Sequence, residues 1–246
     1  MQLYHTCPWR GWAHDQGLPA PEYAQSGKER NHFLNPLDKE TEILLHEGMM
    51  LPLMEEFYSL QGEGFHTGKP AYFARIGGCD VGCSWCDVKE SWDSTRYPPV
   101  PIEQIIENAV SFPAKAIVVT GGEPLMYPLD YFSKGLRAAG LQTYLETSGS
   151  HPLSGEWDWI CLSPKKKSPP KAKIYSHADE LKVIVFDESD FEWAEQNAAL
   201  VTDKCYISLQ PEWSRMDKVM PLIVNYVLAH PRWNISLQSH KFMHIP

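Results

Sequence analysis

The stretch Ala116-Ile117-Val118-Val119-Thr120-Gly121-Gly122-Glu123-Pro124 decides how the rest of the chain is read. A continuous apolar run of this kind suits a strand buried on both faces of a parallel sheet. The glycine pair leaves the strand's carboxyl end free of side chains, and that end is where ligands bind in α/β folds. Taken alone, Gly-Gly-Glu-Pro is more often a turn. Its weight changes because of the loop upstream, Gly77-Gly78-Cys79-Asp80-Val81-Gly82-Cys83-Ser84-Trp85-Cys86, in which three cysteines fall in a C-x3-C-x2-C spacing. Three thiolates this close can ligate three irons of a cubane 4Fe-4S cluster, leaving the fourth iron without a protein ligand. An electron-transfer ferredoxin closes its cluster with four cysteines, and a structural zinc site needs four Cys/His ligands. Neither closure is available locally. The next cysteines, Cys161 and Cys205, lie far along the chain in apolar runs and read as small buried hydrophobes.

Composition narrows the class. With 246 residues and 43% hydrophobic content the chain can bury a full core around one principal domain. No segment approaches the roughly 18 consecutive apolar residues of a membrane span. Met1 to Pro8 lacks a basic region followed by an apolar one, so no secretory signal is visible. A cytoplasmic location with the six cysteines unpaired is the expectation. A net charge of -9 offers no basic footprint for nucleic acid or anionic lipid, which favours a small-molecule substrate.

Working outward, Met54–Leu60 and Ala71–Ile76 read as two strands around the loop Gln61 to Pro70. Its three glycines permit close backbone approach to a ligand, although an ordinary hairpin has the same look. Pro98 to Pro101 is a stiff connector into a helix whose Ile102, Ile105, Ile106, Ala109 and Val110 form one apolar face. Further units are a helix over 127–139, strands over 143–146 and 159–162, and a strand over 181–186. A helix over 188–200, a strand over 205–209, a helix over 216–229 interrupted near Pro221, and a strand over 234–237 follow. Too few residues separate strands 143–146 and 159–162 for a crossover helix, so the fold expected is α/β, a partial, open (β/α) barrel. Lys165 to Pro170 reads most simply as a solvated loop, with Lys165 at a strand end where an anionic ligand group can sit. Residues 1–48 differ: they hold eight Leu, Ile, Val or Phe and are expected to have little autonomous structure. Trp9, Trp12, Tyr23 and Phe33 remain able to dock on the domain, and Asp38 to His46 suits a short helix. The codons for Glu47-Gly48 also suit a ribosome-binding site, so a start at Met49 or Met50 stays open.

The cysteine loop and Gly121-Gly122-Glu123-Pro124 together resemble the radical S-adenosylmethionine (SAM) enzymes, in which SAM chelates the open iron. Adding Phe57 to Gly64, Arg75 to Cys79, Glu146 to Gly149, Ser163-Pro164-Lys165, Leu209-Gln210-Pro211 and Leu237 to Lys241 narrows the likeness to the QueE family, the 7-carboxy-7-deazaguanine synthases. The likeness spans residues 49–246. It implies conversion of 6-carboxy-5,6,7,8-tetrahydropterin to 7-carboxy-7-deazaguanine with loss of ammonia, by a homodimer that draws electrons from a donor such as flavodoxin or ferredoxin. It implies that Cys79, Cys83 and Cys86 hold the cluster. Gly122, Ser148, Ser163, Pro164, Lys165, Gln210, Pro211, Glu212 and Trp213 correspond to SAM contacts, and the motif's Glu, here Glu123, to a holder of SAM's amino group. Leu60, Gln61, Gly62, Arg75 and Thr120 correspond to the substrate site, and Pro246 to a terminus that closes over the substrate. Arg75 suits bidentate pairing with a carboxylate, against the plainer reading of a surface ion pair.

One position departs from the pattern. Family members commonly place Thr or Ser two residues after the last cluster cysteine, where its hydroxyl helps bind Mg2+; here that residue is Val88. Valine cannot ligate a hard cation. Either substrate, water and a residue such as Asp87 hold the ion, or the requirement is weaker. Two rivals have weaker support: a glycyl-radical activating enzyme acting on a protein backbone, and a non-enzymatic Fe-S or zinc module.

Overall fold

In the computed structural model, residues 38–246 are described. The expectations for Trp9, Trp12, Tyr23 and Phe33, and for most of the extension, lie outside these residues. Asp38 caps helix α1 (Lys39–His46), its carboxylate accepting the Thr41 N–H at 2.8 Å. Strand β1 (Met50–Leu60) pairs antiparallel with β2 (Pro70–Ile76). At its other side β1 pairs through Met50 to Pro52 with β3 (Pro99–Pro101). The proline connector is thus itself a strand, and two prolines are tolerated there because β3 is the sheet edge.

After helix α2 (Ile102–Val110) come β4 (Ala116–Gly121), α3 (Asp130–Ala138), β5 (Gln142–Thr147), β6 (Trp159–Leu162) and β7 (Glu180–Val185). The chain continues with α4 (Asp190–Ala198), β8 (Tyr206–Pro211), α5 (Met216–Ala229), β9 (Asn234–Ile235) and α6 (Ser239–Met243). The sheet runs β3-β1-β2-β4-β5-β6-β7-β8-β9, parallel from β2 onward, and its two ends do not meet. This is the open barrel expected from the missing helix between β5 and β6. Only a 3-10 turn, Ala172–His177, intervenes before β7.

Three details differ from the sequence reading. Helix α5 runs unbroken through Pro221, its sixth residue; Val219 and Ile223, buried on either side, hold it against the core despite the one N–H bond the proline forfeits. Helix α3 starts later than expected, since Glu123 caps a separate turn, Pro124–Met126. Strand β9 is only two residues long. Among the described residues no helix is long and apolar enough to cross a membrane.

Period two along each strand sorts the residues onto two faces. The outer face carries Tyr72, Ile117, Val119, Leu145 and Val183 into the main core, where they meet Ile105, Leu136, Phe191 and Ile223 from the helices. Ile105 is fully inaccessible, and enclosing such a side chain stabilises by about 1.5–3 kcal/mol. The inner face carries polar groups instead, among them Thr120, Glu146, Lys182 and Gln210. Its amino end is closed by aromatic rings: Phe65 stacks on Trp159 at 4.8 Å and His66 on Tyr144 at 4.5 Å.

Candidate active site

The carboxyl ends of the parallel strands surround a cavity of about 260 Å³. Of the site residues singled out in the sequence, all line it except Pro164, which is buried behind Ser163. At the rim, Cys79, Cys83 and Cys86 are free thiols, each partly exposed. No three His, Cys, Asp or Glu side chains among the described residues converge as the ligands of a single ion do. A cubane asks for something else: each thiolate meets its own iron, so three sulfurs need only border a common space. These three do.

The glycine pair explains how the cluster loop is seated. Gly122 donates its N–H to the Ile76 carbonyl at 2.8 Å, and Glu123 N–H reaches Gly78 O at 2.9 Å. A Cβ on Gly122 would lie 2.1 Å from the Gly78 oxygen and 2.9 Å from the Cys79 Cβ. Gly121 has φ +131°, a conformation side chains resist. Close backbone contact with the cysteine loop therefore requires both glycines.

Glu123 lines the cavity and is heavily engaged by the protein itself. Its carboxylate is 1% exposed and accepts from Leu125 N–H, Thr147 Oγ1, Ser148 N–H and Ser148 Oγ, the last at 2.5 Å. Four protein donors occupy it, so it fixes the Thr147-Ser148 turn that faces the cavity. Lys165 is turned inward, Nζ donating to the Ser163 carbonyl at 2.6 Å and Oγ at 2.7 Å, 5.8 Å from the Trp85 ring. Burial pulls its ammonium below the usual lysine range. Trp213 stands at the exposed rim.

The cavity floor is a chain of charges that the sequence reading did not assign. Lys182 is 4% exposed on β7, its Nζ 2.5 Å from Glu63 Oε2 and 4.0 Å from Glu146 Oε1. Glu146 accepts from Gln61 Nε2 at 2.9 Å and from Thr120 Oγ1 at 3.2 Å, and Glu63 from Gln238 Nε2 at 2.8 Å. Burial opposes ionisation of Glu63, but the Lys182 ammonium, with hydrogen bonds from Gln238 and Gln210, holds its carboxyl down at about 2. Burial likewise opposes charge on Lys182, and the Glu146 and Glu63 carboxylates outweigh it, keeping the ammonium well above its ordinary range. Glu180, further down, is pushed up by burial. A lysine inside an otherwise apolar strand, Glu180-Leu181-Lys182-Val183-Ile184-Val185, was the available signal.

Arg75 makes an ion pair and also lies at the cavity. Nε lies 2.9 Å from Glu55 on the neighbouring strand and the guanidinium sits 5.8 Å from the Phe57 ring, yet the side chain also borders the cavity. The carboxyl terminus closes over this side. Ser239 donates through N–H and Oγ to the Gly62 carbonyl, both at 2.8 Å. His240 packs where a Gly62 side chain would be, and Lys241 pairs with Asp87 at 3.0 Å while covering the Trp213 ring at 4.8 Å. Burial depresses the His240 pKa, which favours the neutral ring. The Val88 side chain offers no donor to a hard cation, and the exposed Asp87 carboxylate beside it faces the Lys241 ammonium.

The chain as a whole is similar to known proteins. Residues 74–162 match the Radical SAM superfamily. The 7-carboxy-7-deazaguanine synthase of Flavobacterium psychrophilum is 53% identical over 210 residues, 85% of this chain and 100% of that protein. Its counterpart in Synechocystis is 45% identical over 78% of this chain and 92% of its own. The crystal structure of QueE from Escherichia coli superposes with a TM-score of 0.71 at 29% identity, covering 83% of this chain and 100% of that one. Because the relatives are matched along nearly their whole length, and the match includes both the cysteine loop and the strand ends that face it, the chain belongs to the 7-carboxy-7-deazaguanine synthase family of radical-SAM proteins.

Proposed function

We propose that this protein converts 6-carboxy-5,6,7,8-tetrahydropterin to 7-carboxy-7-deazaguanine with release of ammonia, on the route to queuosine and related 7-deazapurines. The observation that carries this reading is that one cavity has the three cluster cysteines on one wall and a hydrogen-bonded floor on another, in which Gln61 and Lys182 are buried and Glu63 and Glu146 partly buried. Held by Cys79, Cys83 and Cys86 and reduced by one electron from a donor, a cluster with SAM would supply radical hydrogen-atom abstraction, directed here at the pterin carbon bearing the carboxylate.

The chain's own residues position and enclose. Cys79, Cys83 and Cys86 hold the cluster. Gly122, Ser148, Ser163, Lys165 and the Gln210 to Trp213 segment border the space for SAM, and Pro164 acts behind Ser163 by shaping its turn. Leu60, Gln61, Gly62, Arg75 and Thr120 border the substrate. The Gln61 amide both donates and accepts, which suits the edge of a pterin, and Arg75 supplies a cation for its carboxylate. Pro246 and the seated α6 segment exclude water from the reacting carbon. With Val88 offering no donor, either substrate, water and a residue such as Asp87 hold Mg2+ or the requirement is weaker, and a Mg2+ titration of turnover distinguishes the two. We further read the working form as a homodimer in the reducing cytoplasm, served by a flavodoxin or ferredoxin.

The test is anaerobic turnover of protein reconstituted with iron and sulfide, given SAM, reductant, Mg2+ and 6-carboxytetrahydropterin, with products followed by mass spectrometry. Formation of 7-carboxy-7-deazaguanine is expected. Deoxyadenosine formed without it would keep radical-SAM chemistry and reject this substrate.

A further inference from the structure

Residues 165–173, Lys165-Lys166-Lys167-Ser168-Pro169-Pro170-Lys171-Ala172-Lys173, hold five lysines, and no acidic residue occurs between Ser163 and Ala178, in a chain whose net charge is -9. The sequence reads most of this run as a solvated loop, but the structure gives it a fixed shape. Lys165 and Ser168 form a bridge, Lys171 N–H bonds Gly149 O at 2.8 Å, and Ile174 and Tyr175 are buried, with Tyr175 Oη donating to Asn197 Oδ1 at 2.7 Å. Two prolines stiffen the turn between these anchors. Lys166, Lys167, Lys171 and Lys173 are exposed. Lys166 pairs with Asp190. Among the described residues none of the ion pairs involves Lys167, Lys171 or Lys173.

The position of this surface gives it a use. Lys167 Nζ donates to the Gly82 carbonyl at 3.1 Å, inside the cysteine loop and on the residue before Cys83. The acidic residue of that loop, Asp80, faces His151 at 3.0 Å. The outer side of the cluster loop therefore meets Lys167, and Lys171 and Lys173 continue the same run without an ion pair among the described residues, while the molecule as a whole carries a net charge of -9. We propose that the lysines of residues 165–173 are the docking surface for a small acidic one-electron carrier protein of the flavodoxin type, seated against Gly82. The proposal rests on the cluster reading above. The carrier's reduced flavin is oxidised by one electron and the oxidised cluster gains it, with no bond formed to the protein. Fixed, unpaired lysines raise the encounter rate with such a partner and limit the orientations in which it docks.

The experiment uses the reconstituted holoenzyme and a bacterial flavodoxin, with affinity measured by titration calorimetry at low and at 0.5 M salt. The variants are Lys171→Glu/Lys173→Glu and, as a control with the same charge change at the opposite ends of the strands, Lys204→Glu/Arg232→Glu. The wild-type protein and the control should bind with affinity that falls as salt rises, and the first variant should bind about tenfold more weakly at low salt. Turnover driven by dithionite should be unchanged in all three, which separates this proposal from the assigned reaction. Equal affinity of the two variants, or wild-type binding that ignores salt, would overturn the docking surface. If the double variant fails to fold, Lys171→Gln and Lys173→Gln singly give the same decision with smaller shifts.

Discussion

At the scale of single residues, the Lys182–Glu63 pair is the most consequential contact in the site. Two opposite charges this deep stabilise each other only as a pair, and removing one strands the other. Lys182→Met should cost about 3–5 kcal/mol of folding stability, measured by urea denaturation, and abolish turnover. The pH dependence follows from the direction of the Glu63 shift. Its folded pKa lies below the ordinary carboxylate value, so its contribution is complete above pH 4.5 and is lost as pH falls toward about 2. Denaturation curves should show a drop in this range that Lys182→Met removes. Arg75 is a separate matter, because its pairing with Glu55 is partly exposed and contributes little to the fold. Arg75→Ala should keep iron content and lose turnover; an unchanged rate would remove Arg75 from the substrate site.

At the scale of elements, two junctions hold the cavity in shape. The first is the contact between the end of β4 and the cysteine loop. Gly122→Ala places a methyl group 2.1 Å from the Gly78 oxygen, so the loop must move. Iron bound after reconstitution should fall well below that of the wild type, with little change in helical signal by circular dichroism. The second is the carboxyl-terminal segment, held on Gly62, Asp87 and Trp213 rather than by a core of its own. Removing Ile245 and Pro246 should leave cluster and SAM binding intact and lower turnover with the pterin by at least about tenfold, a loss of roughly 1.4 kcal/mol of transition-state stabilisation. Equal turnover would show that the terminus does not act on the substrate. These junctions were only partly legible in advance. Gly121-Gly122 stood out as a motif, whereas the partner it touches is set by the parallel register of β2 and β4.

For the whole molecule, an open barrel with a cofactor pocket at one end should be stabilised by what it binds. SAM at 100 times its Kd stabilises by about 2.7 kcal/mol. For a chain of this size that is roughly 5–10 °C in the Tm of the reconstituted protein, and no shift would mean that SAM does not bind the folded state. The sequence by itself determined the fold class and the cysteine loop, because apolar runs, glycine pairs and close cysteine spacing are local and leave their mark in consecutive residues; most of the cavity lining was reached through the resemblance to a known family. Glu63, Glu146, Gln238 and His240 stood within quoted motifs without an assignment, and Lys182 stood in none. Only the tertiary structure joined them, since Lys182 and Glu63 meet across 119 positions of the chain and Gln238 and Glu63 across 175. It also showed Glu123 holding Thr147 and Ser148 in place, and gave a lysine run a fixed backbone with Lys167 beside the cluster loop. The physical reason is the same in each case: what a charged side chain does depends on the partners and solvent around it, and in a barrel those come from other strands.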